Sequence, residues 1–368
     1  MGFSTQIFGA PGRYVQGAGA ITEIGAHAGA LGGRVLVVGG KTGLAATRQG
    51  RETGFSSSGV SQLEELFGGE ASDREIDRLT CLGRQNGCDL LMASGGGKAI
   101  DAVKAAAEDL GVPAIIVPTV ASNDAPCSAL SVVYNEDGSF SRLRPLKRSP
   151  GLVLVDTEII ARAPVRTLVA GMGDALATWF EADACQKAYA LNNFGGHISA
   201  PALALARLCL DTLLEHGAAA KAACENQAVT PAFEKVVEAN TLLSGLGFES
   251  GGVGIAHALS EGFSAVPSLH RCLHGETVAF GLLVHLILED RPAAVLNEIY
   301  AFCLSVGLPV TLADIGGAHL DRETLRRAAE ASAAPGKPSH NMAFPVTGGV
   351  LYDAILTADA LGRRLKAC

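Results

Sequence analysis

Residues 89–101 read DLLMASGGGKAID, and this stretch decides the fold. Asp89–Ser94 has the composition of a short buried strand, and an apolar helical pattern follows from about residue 99 to residue 110. The glycines of Ser94–Lys98 lie between the strand and the helix. Glycines in such a turn let the backbone approach a phosphate, and the first helical turn offers unpaired N–H groups. The segment predicts either a phosphate-binding turn or an ordinary tight turn, because it is neither GxGxxG nor a Walker A sequence.

Three further apolar runs surround this stretch. They are short, rich in β-branched residues and separated by helical stretches, which indicates a parallel, doubly wound sheet. After Pro164 the apolar residues take helical spacing, and strand patterns become rare. We therefore predict an α/β nucleotide-binding domain with a parallel sheet over residues 1–163 and an all-α domain over residues 164–368. The three runs are Arg34–Val38, Ala114–Pro118 and Leu152–Val155.

The composition excludes several classes of partner. The 368-residue chain has a net charge of −8 and no basic block, so no nucleic acid partner is expected, because phosphate binding needs clustered lysine and arginine. The most apolar stretch, residues 200–214, is interrupted by Arg207 and Asp211, so we expect no membrane span. The nine cysteines include no CxxC pair, which favours free thiols in a reducing cytoplasm over a disulfide framework.

Two other segments have the character of ligand-facing loops. Residues 118–128, PTVASNDAPCS, are small, polar and bounded by prolines, and they follow an apolar strand, where α/β proteins bind ligands. An ordinary surface loop has the same composition. Gly39 and Gly40 follow the Arg34–Val38 run. At that position a dinucleotide enzyme usually has an acidic residue against the adenosine ribose, and this chain has Gly40.

Asp174, His257 and His274 are the candidate metal ligands. One carboxylate and two imidazoles make an open zinc site, which leaves a position for a substrate oxygen. Their spacings of 83 and 17 residues are not a local signature. Asp174 also suits a helix N-cap, and His257 suits a hydrogen-bonded core position. His270 and His274 are four residues apart, so a histidine pair on one helical face is a competing arrangement.

Five segments of the chain carry more information together than any one of them alone. They are Gly95–Lys98 (GGGK) with Asp101, residues 122–133 (SNDAPCSALSVV), residues 171–181 (GMGDALATWFE), residues 243–252 (LSGLGFESGG) and residues 274–276 (HGE). In this order they resemble the glycerol dehydrogenase branch of the iron-containing alcohol dehydrogenase family. The resemblance covers nearly the whole chain, and the second and third segments are specific to the branch.

The resemblance implies a two-domain enzyme with the dehydroquinate synthase-like fold of that family, one NAD and one divalent metal, commonly zinc. It implies that Asp174, His257 and His274 are the metal ligands and the catalytic centre, with both histidines close to substrate. It also implies that His270 is not a ligand. The N-terminal domain is expected to hold the cofactor at the C-terminal edge of its sheet, and the helical domain to supply the metal.

The resemblance extends to substrate and cofactor contacts. Asp124 matches a catalytic residue that contacts the polyol, and Phe248 resembles an aromatic wall of the substrate pocket. Gly96 and Asp101 join the cofactor set from the glycine-rich turn and the helix after it. The positions that match cofactor contacts are Gly97, Lys98, Thr119, Ser122, Ser128, Leu130 and Tyr134.

The expected reaction is the oxidation of glycerol to dihydroxyacetone and the reverse reduction, with a metal ion polarising the hydroxyl and a hydride passing to nicotinamide. A homo-oligomer is expected, because relatives form large symmetric rings. Gly40 replaces an aspartate of NAD-preferring relatives, so the chain also permits NADP. Alternatives are a related vicinal-diol or 2-hydroxycarboxylate dehydrogenase, a dehydroquinate synthase-type lyase, and a binding protein without activity.

Overall fold

The computed structural model describes residues 5–367, which form two compact units. The first unit, here called the sheet unit, comprises residues 9–168 and 222–245. The second, here called the helical unit, comprises residues 5–8, 169–221 and 246–367.

Residues 222–245 belong to the sheet unit although they lie far along the chain. Long-range hydrogen bonds hold them there: Gln16 Nε2 donates to Glu234 Oε2 over 2.7 Å, and Asn240 Nδ2 donates to the Ala121 carbonyl over 3.0 Å. The sequence predicts one boundary at residue 163, and a single boundary does not contain this return. The division into domains at residue 163 stays a prediction.

The centre of the sheet unit is a six-stranded parallel sheet, and this prediction is confirmed. The strands are β1 (Tyr14–Gly17), β2 (Arg34–Gly39), β3 (Ser61–Leu66), β4 (Leu90–Gly95), β5 (Ala114–Pro118), β6 (Leu130–Tyr134), β7 (Phe140–Pro145) and β8 (Leu152–Asp156). The sheet order is β1-β8-β5-β4-β2-β3, and β6 and β7 form a separate antiparallel pair. All six residues of β4 are buried, as expected for a parallel strand that is covered on both faces.

The strand order changes direction between β2 and β4. From β2 the chain goes outward to β3, and from β4 it goes to β5 and β8 on the other side. In open α/β sheets, ligands bind beyond the carboxyl ends of the strands at such a switch point. The residues that follow these two strands are Gly40 and Gly96, so the glycines singled out in the sequence both lie at this position of the sheet.

The helices carry most of the remaining chain. They are α1 (Ile24–Ala28), α2 (Lys41–Ser56), α3 (Asp73–Gln85), α4 (Gly97–Leu110), α5 (Thr157–Ala161), α6 (Val165–Lys187), α7 (Ala200–Glu225), α8 (Pro231–Glu238), α9 (Ser244–Gly251), α10 (Ile255–Ser264), α11 (His274–Leu288), α12 (Ala293–Val306), α13 (Arg322–Ser332) and α14 (Gly348–Lys366). A π-helical turn, Ala239–Leu243, joins α8 to α9.

The helical unit has no strand among its described residues, which confirms the all-α prediction for this part of the chain. Helix α11 is apolar around almost its whole circumference, and such a helix is expected to be buried on all sides. Only a few residues of α11 have appreciable exposure, and the first of them is His274. Within residues 5–367, no helix is both long and apolar enough to cross a lipid bilayer.

Candidate functional site

Asp174 and His274 are brought together by a close crossing of α6 and α11. The crossing needs glycine on both helices, because a Cβ on Gly275 would lie 1.8 Å from the Ala170 carbonyl oxygen, and a Cβ on Gly173 would lie 2.3 Å from the Gly275 carbonyl oxygen. Each glycine is the direct chain neighbour of a ligand candidate. The crossing places Asp174 Oδ1 3.3 Å from His274 Nε2.

His257 completes a cluster of three. Its Nε2 lies 3.5 Å from Asp174 Oδ1, and the His257 and His274 ring centroids are 5.5 Å apart. One ligand atom from each of the three residues lies within 4.8 Å of the other two. The structure therefore brings together, from helices α6, α10 and α11, three residues that are 83 and 17 positions apart in the sequence.

The chemistry of this donor set fits a divalent metal such as zinc. Two imidazole nitrogens and one carboxylate oxygen are the ligands of open zinc sites, which keep a position for water or substrate. The Asp174 side chain is 1% exposed and that of His257 14%, whereas that of His274 is 46% exposed. The cluster is thus enclosed on the Asp174 side and accessible at His274.

The charges within the cluster are mutually dependent. Burial would raise the pKa of Asp174, but the imidazoles of His274 and His257 hold that pKa below its usual value. Burial would lower the pKa of His257, yet the carboxylates of Glu181 and Asp174 raise it well above its usual value. A buried anion that attracts a proton so strongly also attracts a metal cation in the proton's place.

Glu181 belongs to the site, although it was not predicted from the sequence. It is fully buried, and its Oε2 lies 2.5 Å from His257 Nδ1. It follows Asp174 by seven residues on the same helix, which is two turns and therefore the same face. A carboxylate two helical turns after a candidate ligand was the only signal that the sequence offered.

The competing histidine pair does not form. His270 is exposed, precedes the first residue of α11, and its Nε2 donates to the Ser264 carbonyl oxygen over 2.8 Å. The cluster of possible ligands in the described residues contains His274 and not His270.

The glycine-rich turn of the sheet unit has the form expected for a phosphate site. Gly96 is the N-cap of α4 and provides no side-chain hydrogen bond to the free N–H groups of the first turn. A Cβ on Gly97 would lie 2.6 Å from Asn123 Nδ2, so the turn contacts the 118–128 segment directly. The glycine-rich turn and the 118–128 segment, which the sequence indicated as possible ligand sites, are therefore neighbours.

Several predicted cofactor residues lie around this turn. Lys98 Nζ is 2.6 Å from Glu70 Oε2 and 5.0 Å from the centre of the Tyr134 ring. The Thr119 amide donates to the Gly95 carbonyl over 3.1 Å. Ser122, which follows shortly after, is half-buried.

Lys104 joins the other predicted cofactor residues to one another. It is 2% exposed, and its ammonium lies 3.0 Å from Asp101 Oδ1 and donates to Ser128 Oγ over 3.1 Å and to the carbonyl oxygens of Ala125 and Leu130. Asp101 is therefore paired inside the unit. Lys104 was not predicted from the sequence, although a lysine within the apolar run 102–107 (AVKAAA) indicates a buried partner.

Asp124 and Phe248 are both buried. Asp124 is 8% exposed, and its Oδ2 accepts a hydrogen bond from Ser244 Oγ over 2.7 Å. Ser244 comes directly after the π-helical turn. Within that turn, Asn240 Nδ2 donates hydrogen bonds to the carbonyl oxygens of Ala121 and Leu168. π-turns inside helices are frequent at functional sites. Phe248, on α9, is 6% exposed.

Gly40 has open space on the side where a side chain would lie. It is the N-cap of α2 with φ −68°, and no atom other than its chain neighbours lies within 4 Å of the position that a Cβ would take. A residue with a side chain fits there without strain. Lys41, which follows, is exposed.

Comparison with known proteins gives consistent results for the whole chain. A family model described as iron-containing alcohol dehydrogenase matches residues 11–157. Glycerol dehydrogenase of Thermotoga maritima is 50% identical over 364 residues, which is 99% of each chain. Glycolaldehyde reductase of Halobacterium salinarum is 41% identical and covers 98% of this chain and 99% of its own. The crystal structure of glycerol dehydrogenase from Schizosaccharomyces pombe superposes with a TM-score of 0.94 at 36% identity, covering 98% of this chain and 92% of that one.

Proposed function

The chain belongs to the iron-containing alcohol dehydrogenase family, in its glycerol dehydrogenase branch, and from this premise we propose that it oxidises glycerol to dihydroxyacetone with NAD. The observation that carries the proposal is the cluster of Asp174, His257 and His274, whose ligand atoms lie within 4.8 Å of one another. Glycerol loses a hydride from its second carbon and a proton from the hydroxyl on that carbon. The products are dihydroxyacetone, NADH and one proton.

The three ligand residues would hold the metal ion beside the hydroxyl on the second carbon of glycerol. When bound, a divalent ion supplies Lewis acidity that lowers the pKa of a substrate hydroxyl, and NAD supplies the hydride acceptor. His274 is half exposed and leaves that side of the cluster accessible to the polyol. Asp124 accepts a hydrogen bond from a further hydroxyl, and Phe248 provides an apolar wall. These contacts hold the polyol in one orientation, from which most of the rate enhancement arises.

The sheet unit holds the cofactor. The pyrophosphate binds at Gly96 and Gly97, where the first N–H groups of α4 are free of a side-chain cap. Lys98 and Tyr134 lie next to that turn. The remaining contacts that we assign are Asp101, Thr119, Ser122, Ser128 and Leu130, of which Asp101, Ser128 and Leu130 are joined through Lys104.

Metal removal tests this function. We expect dialysis against a chelator to abolish NAD-dependent glycerol oxidation, and zinc or manganese to restore it. The variant His257→Ala should lose the metal and turnover together, because two protein ligands rarely hold zinc in competition with water. The variant His270→Ala is the matched control, since His270 is an exposed histidine outside the cluster. Full glycerol oxidation by protein shown to be metal-free would refute the proposal.

A substrate panel tests the choice of polyol. Glycerol, other vicinal diols and 2-hydroxycarboxylates are offered in the oxidative direction, and dihydroxyacetone and glycolaldehyde in the reductive direction. We expect the highest kcat/KM for glycerol and dihydroxyacetone. A clear preference for glycolaldehyde would make the chain functionally closer to its Halobacterium salinarum relative.

We further propose a homo-oligomer in the cytoplasm. Apolar side chains of the helical unit are exposed, among them Tyr189 at 79%, Leu191 at 54% and Leu208 at 51%, and these are surfaces that a second copy can cover. The eight cysteines of the described residues are all free thiols, which suits a reducing compartment. A monomer-sized species by light scattering at micromolar concentration would contradict the oligomer.

A further inference from the structure

Glu181 makes three hydrogen bonds with both of its carboxylate oxygens. Oε1 accepts from the backbone N–H of Gly254 over 2.8 Å and from that of His257 over 3.1 Å, and Oε2 lies 2.5 Å from His257 Nδ1. The side chain is 0% exposed. A carboxylate paired in this way is an acceptor only, so the proton between Glu181 and His257 belongs to Nδ1. The lone pair of the neutral His257 ring is then on Nε2, which is the nitrogen that faces Asp174.

His274 also has its proton on Nδ1 and its lone pair on Nε2, and here two hydroxyl groups determine this arrangement. Thr277 Oγ1 donates its single proton to the His274 carbonyl oxygen over 2.8 Å. In the 2.7 Å contact between Ser260 and Thr277, the donor must therefore be Ser260. Ser260 Oγ then has only lone pairs to offer to His274 Nδ1, 3.2 Å away, so this nitrogen also carries the proton. The His274 lone pair is on Nε2, which again faces Asp174.

We propose that Glu181, and Ser260 together with Thr277, are positioning residues that hold His257 and His274 as Nδ1–H tautomers and so prepare both Nε2 lone pairs for a divalent cation. The inference deepens the proposed function and rests on it. Glu181 acts through a charge-assisted hydrogen bond, and the hydroxyl pair acts through neutral ones, which are about half as strong. The two histidines are therefore prepared by devices of unequal strength.

The variant Glu181→Gln tests the stronger device. A glutamine has a single acceptor oxygen, which can serve either the two backbone N–H groups or His257 Nδ1, but not both. We expect the zinc dissociation constant, measured by competition with a chromophoric chelator, to rise about 10-fold to 100-fold, which is the usual effect of removing such a partner. The visible absorption of the cobalt-loaded protein should change as well, because the geometry at His257 changes. NAD binding to the metal-free protein should not change.

The variant Glu289→Gln is the matched control. Glu289 is also a buried glutamate in contact with a histidine, at 3.1 Å from His285 Nε2, and it lies in the same unit but outside the cluster. The zinc affinity of the Glu289→Gln variant should equal that of the wild type. Equal losses in Glu181→Gln and Glu289→Gln would mean that Glu181 has only a structural role, and a Glu181→Gln protein that binds zinc within threefold of the wild type would overturn the proposal.

The variants Ser260→Ala and Thr277→Val test the weaker device and do not depend on whether Glu181→Gln folds. Thr277→Val preserves shape but frees the Ser260 proton, so that Ser260 can donate to His274 Nδ1 and favour the wrong tautomer. We expect each variant to weaken zinc binding by roughly threefold to tenfold. Unchanged affinity in both would overturn the assignment at His274. A wild-type protein that binds no zinc would instead refute the proposed function itself.

Discussion

At the glycine-rich turn of the sheet unit, the groups offered to a ligand belong to the main chain. Gly96 has no side chain to cap α4, and Gly40 has open space where a Cβ would lie. In the cluster of the helical unit, the groups offered belong to side chains, and further side chains hold them, as Glu181 holds His257. A site formed by main-chain groups next to glycines is altered by substitutions that add a side chain. A site formed by paired side chains is altered by substitutions that remove one of them. Substitutions of both kinds test this difference.

Asp124 is the exception to the comparison, since it is a buried carboxylate in the sheet unit. If it accepts a hydrogen bond from a polyol hydroxyl, Asp124→Ala should lower kcat/KM for glycerol by about tenfold to 150-fold, the value of a hydrogen bond to a charged group. The affinity for NAD, measured by titration without polyol, should stay the same.

Ser244→Ala provides the control for Asp124→Ala. It removes the 2.7 Å hydrogen bond from Ser244 Oγ but keeps the carboxylate. We expect a smaller loss of glycerol oxidation than in Asp124→Ala. A comparable loss of NAD affinity in Asp124→Ala would mean that Asp124 shapes the cofactor loop and does not contact the polyol.

Glu289 tests whether paired buried charges stabilise the helical unit. Burial would raise the pKa of Glu289, but His285 and Arg291 lower it to about 2. Lys187 Nζ lies 3.7 Å away, and Asp183 shares Arg291 with it. A carboxyl group whose pKa is lowered by folding stabilises the folded state at pH values above its unfolded-state pKa of 4.5. This contribution disappears as the pH falls towards 2, the pKa in the folded state. Glu289→Gln should therefore reduce the free energy of unfolding at pH 7 by about 2 kcal/mol.

The pH dependence is the sharper measurement for this variant. The stability difference between the wild type and Glu289→Gln, obtained from urea unfolding, should be constant from pH 7 to pH 5.5 and smaller by about 1 kcal/mol at pH 3.5. Asp211→Asn is the control, because the Asp211–Arg207 pair is about half exposed on both sides. It should change stability by less than about 0.5 kcal/mol. A difference for Glu289→Gln that does not depend on pH would show that its charge contributes nothing.

Gly40 tests the main-chain side of the comparison by addition. A side chain fits at this position, so Gly40→Asp should fold normally. Its carboxylate would pair with the ribose 2′-hydroxyl of NAD and repel the 2′-phosphate of NADP. We expect the ratio of kcat/KM for NAD to that for NADP to rise at least tenfold, which is about 1.4 kcal/mol.

Gly40→Asn separates charge from size. Asparagine has nearly the volume of aspartate but no charge, so this variant should raise the NAD-to-NADP ratio of kcat/KM much less. If the unmutated protein already rejects NADP by a thousandfold, another group discriminates between the cofactors, and the placement of Gly40 against the ribose is wrong.

The sequence predicted the core of the sheet better than its edges. The buried strands β2, β4, β5 and β8 have apolar runs that are visible in the sequence, and their observed bounds differ from the predicted ones by at most one residue at each end. The strand β3, SQLEEL, was not predicted, because an edge strand that is partly exposed has no apolar run. The other edge strand, β1, was not predicted either, and it is only four residues long.

The site divides in the same way. The glycine-rich turn is contiguous and was identified from its own residues, whereas the ligands Asp174, His257 and His274 come from three helices and were joined only through the resemblance to a family. Glu181 and Lys104 were missed because their importance depends on which groups are buried beside them. The sequence shows spacing along a helix, but the partner on another element becomes visible only after folding.

The crossing at Gly173 and Gly275 also limits how this protein can be engineered. An alanine at Gly275 would force α6 and α11 apart by more than about 1 Å, because close-packed backbones cannot absorb a carbon at 1.8 Å. Metal–ligand distances tolerate displacements of only about 0.2 Å. A mutant library that aims at a new metal or a new alcohol should therefore keep both glycine codons fixed, even though neither glycine has a side chain that could bind the metal. The positions around His274 are better targets for randomisation, because the His274 side chain is already half exposed.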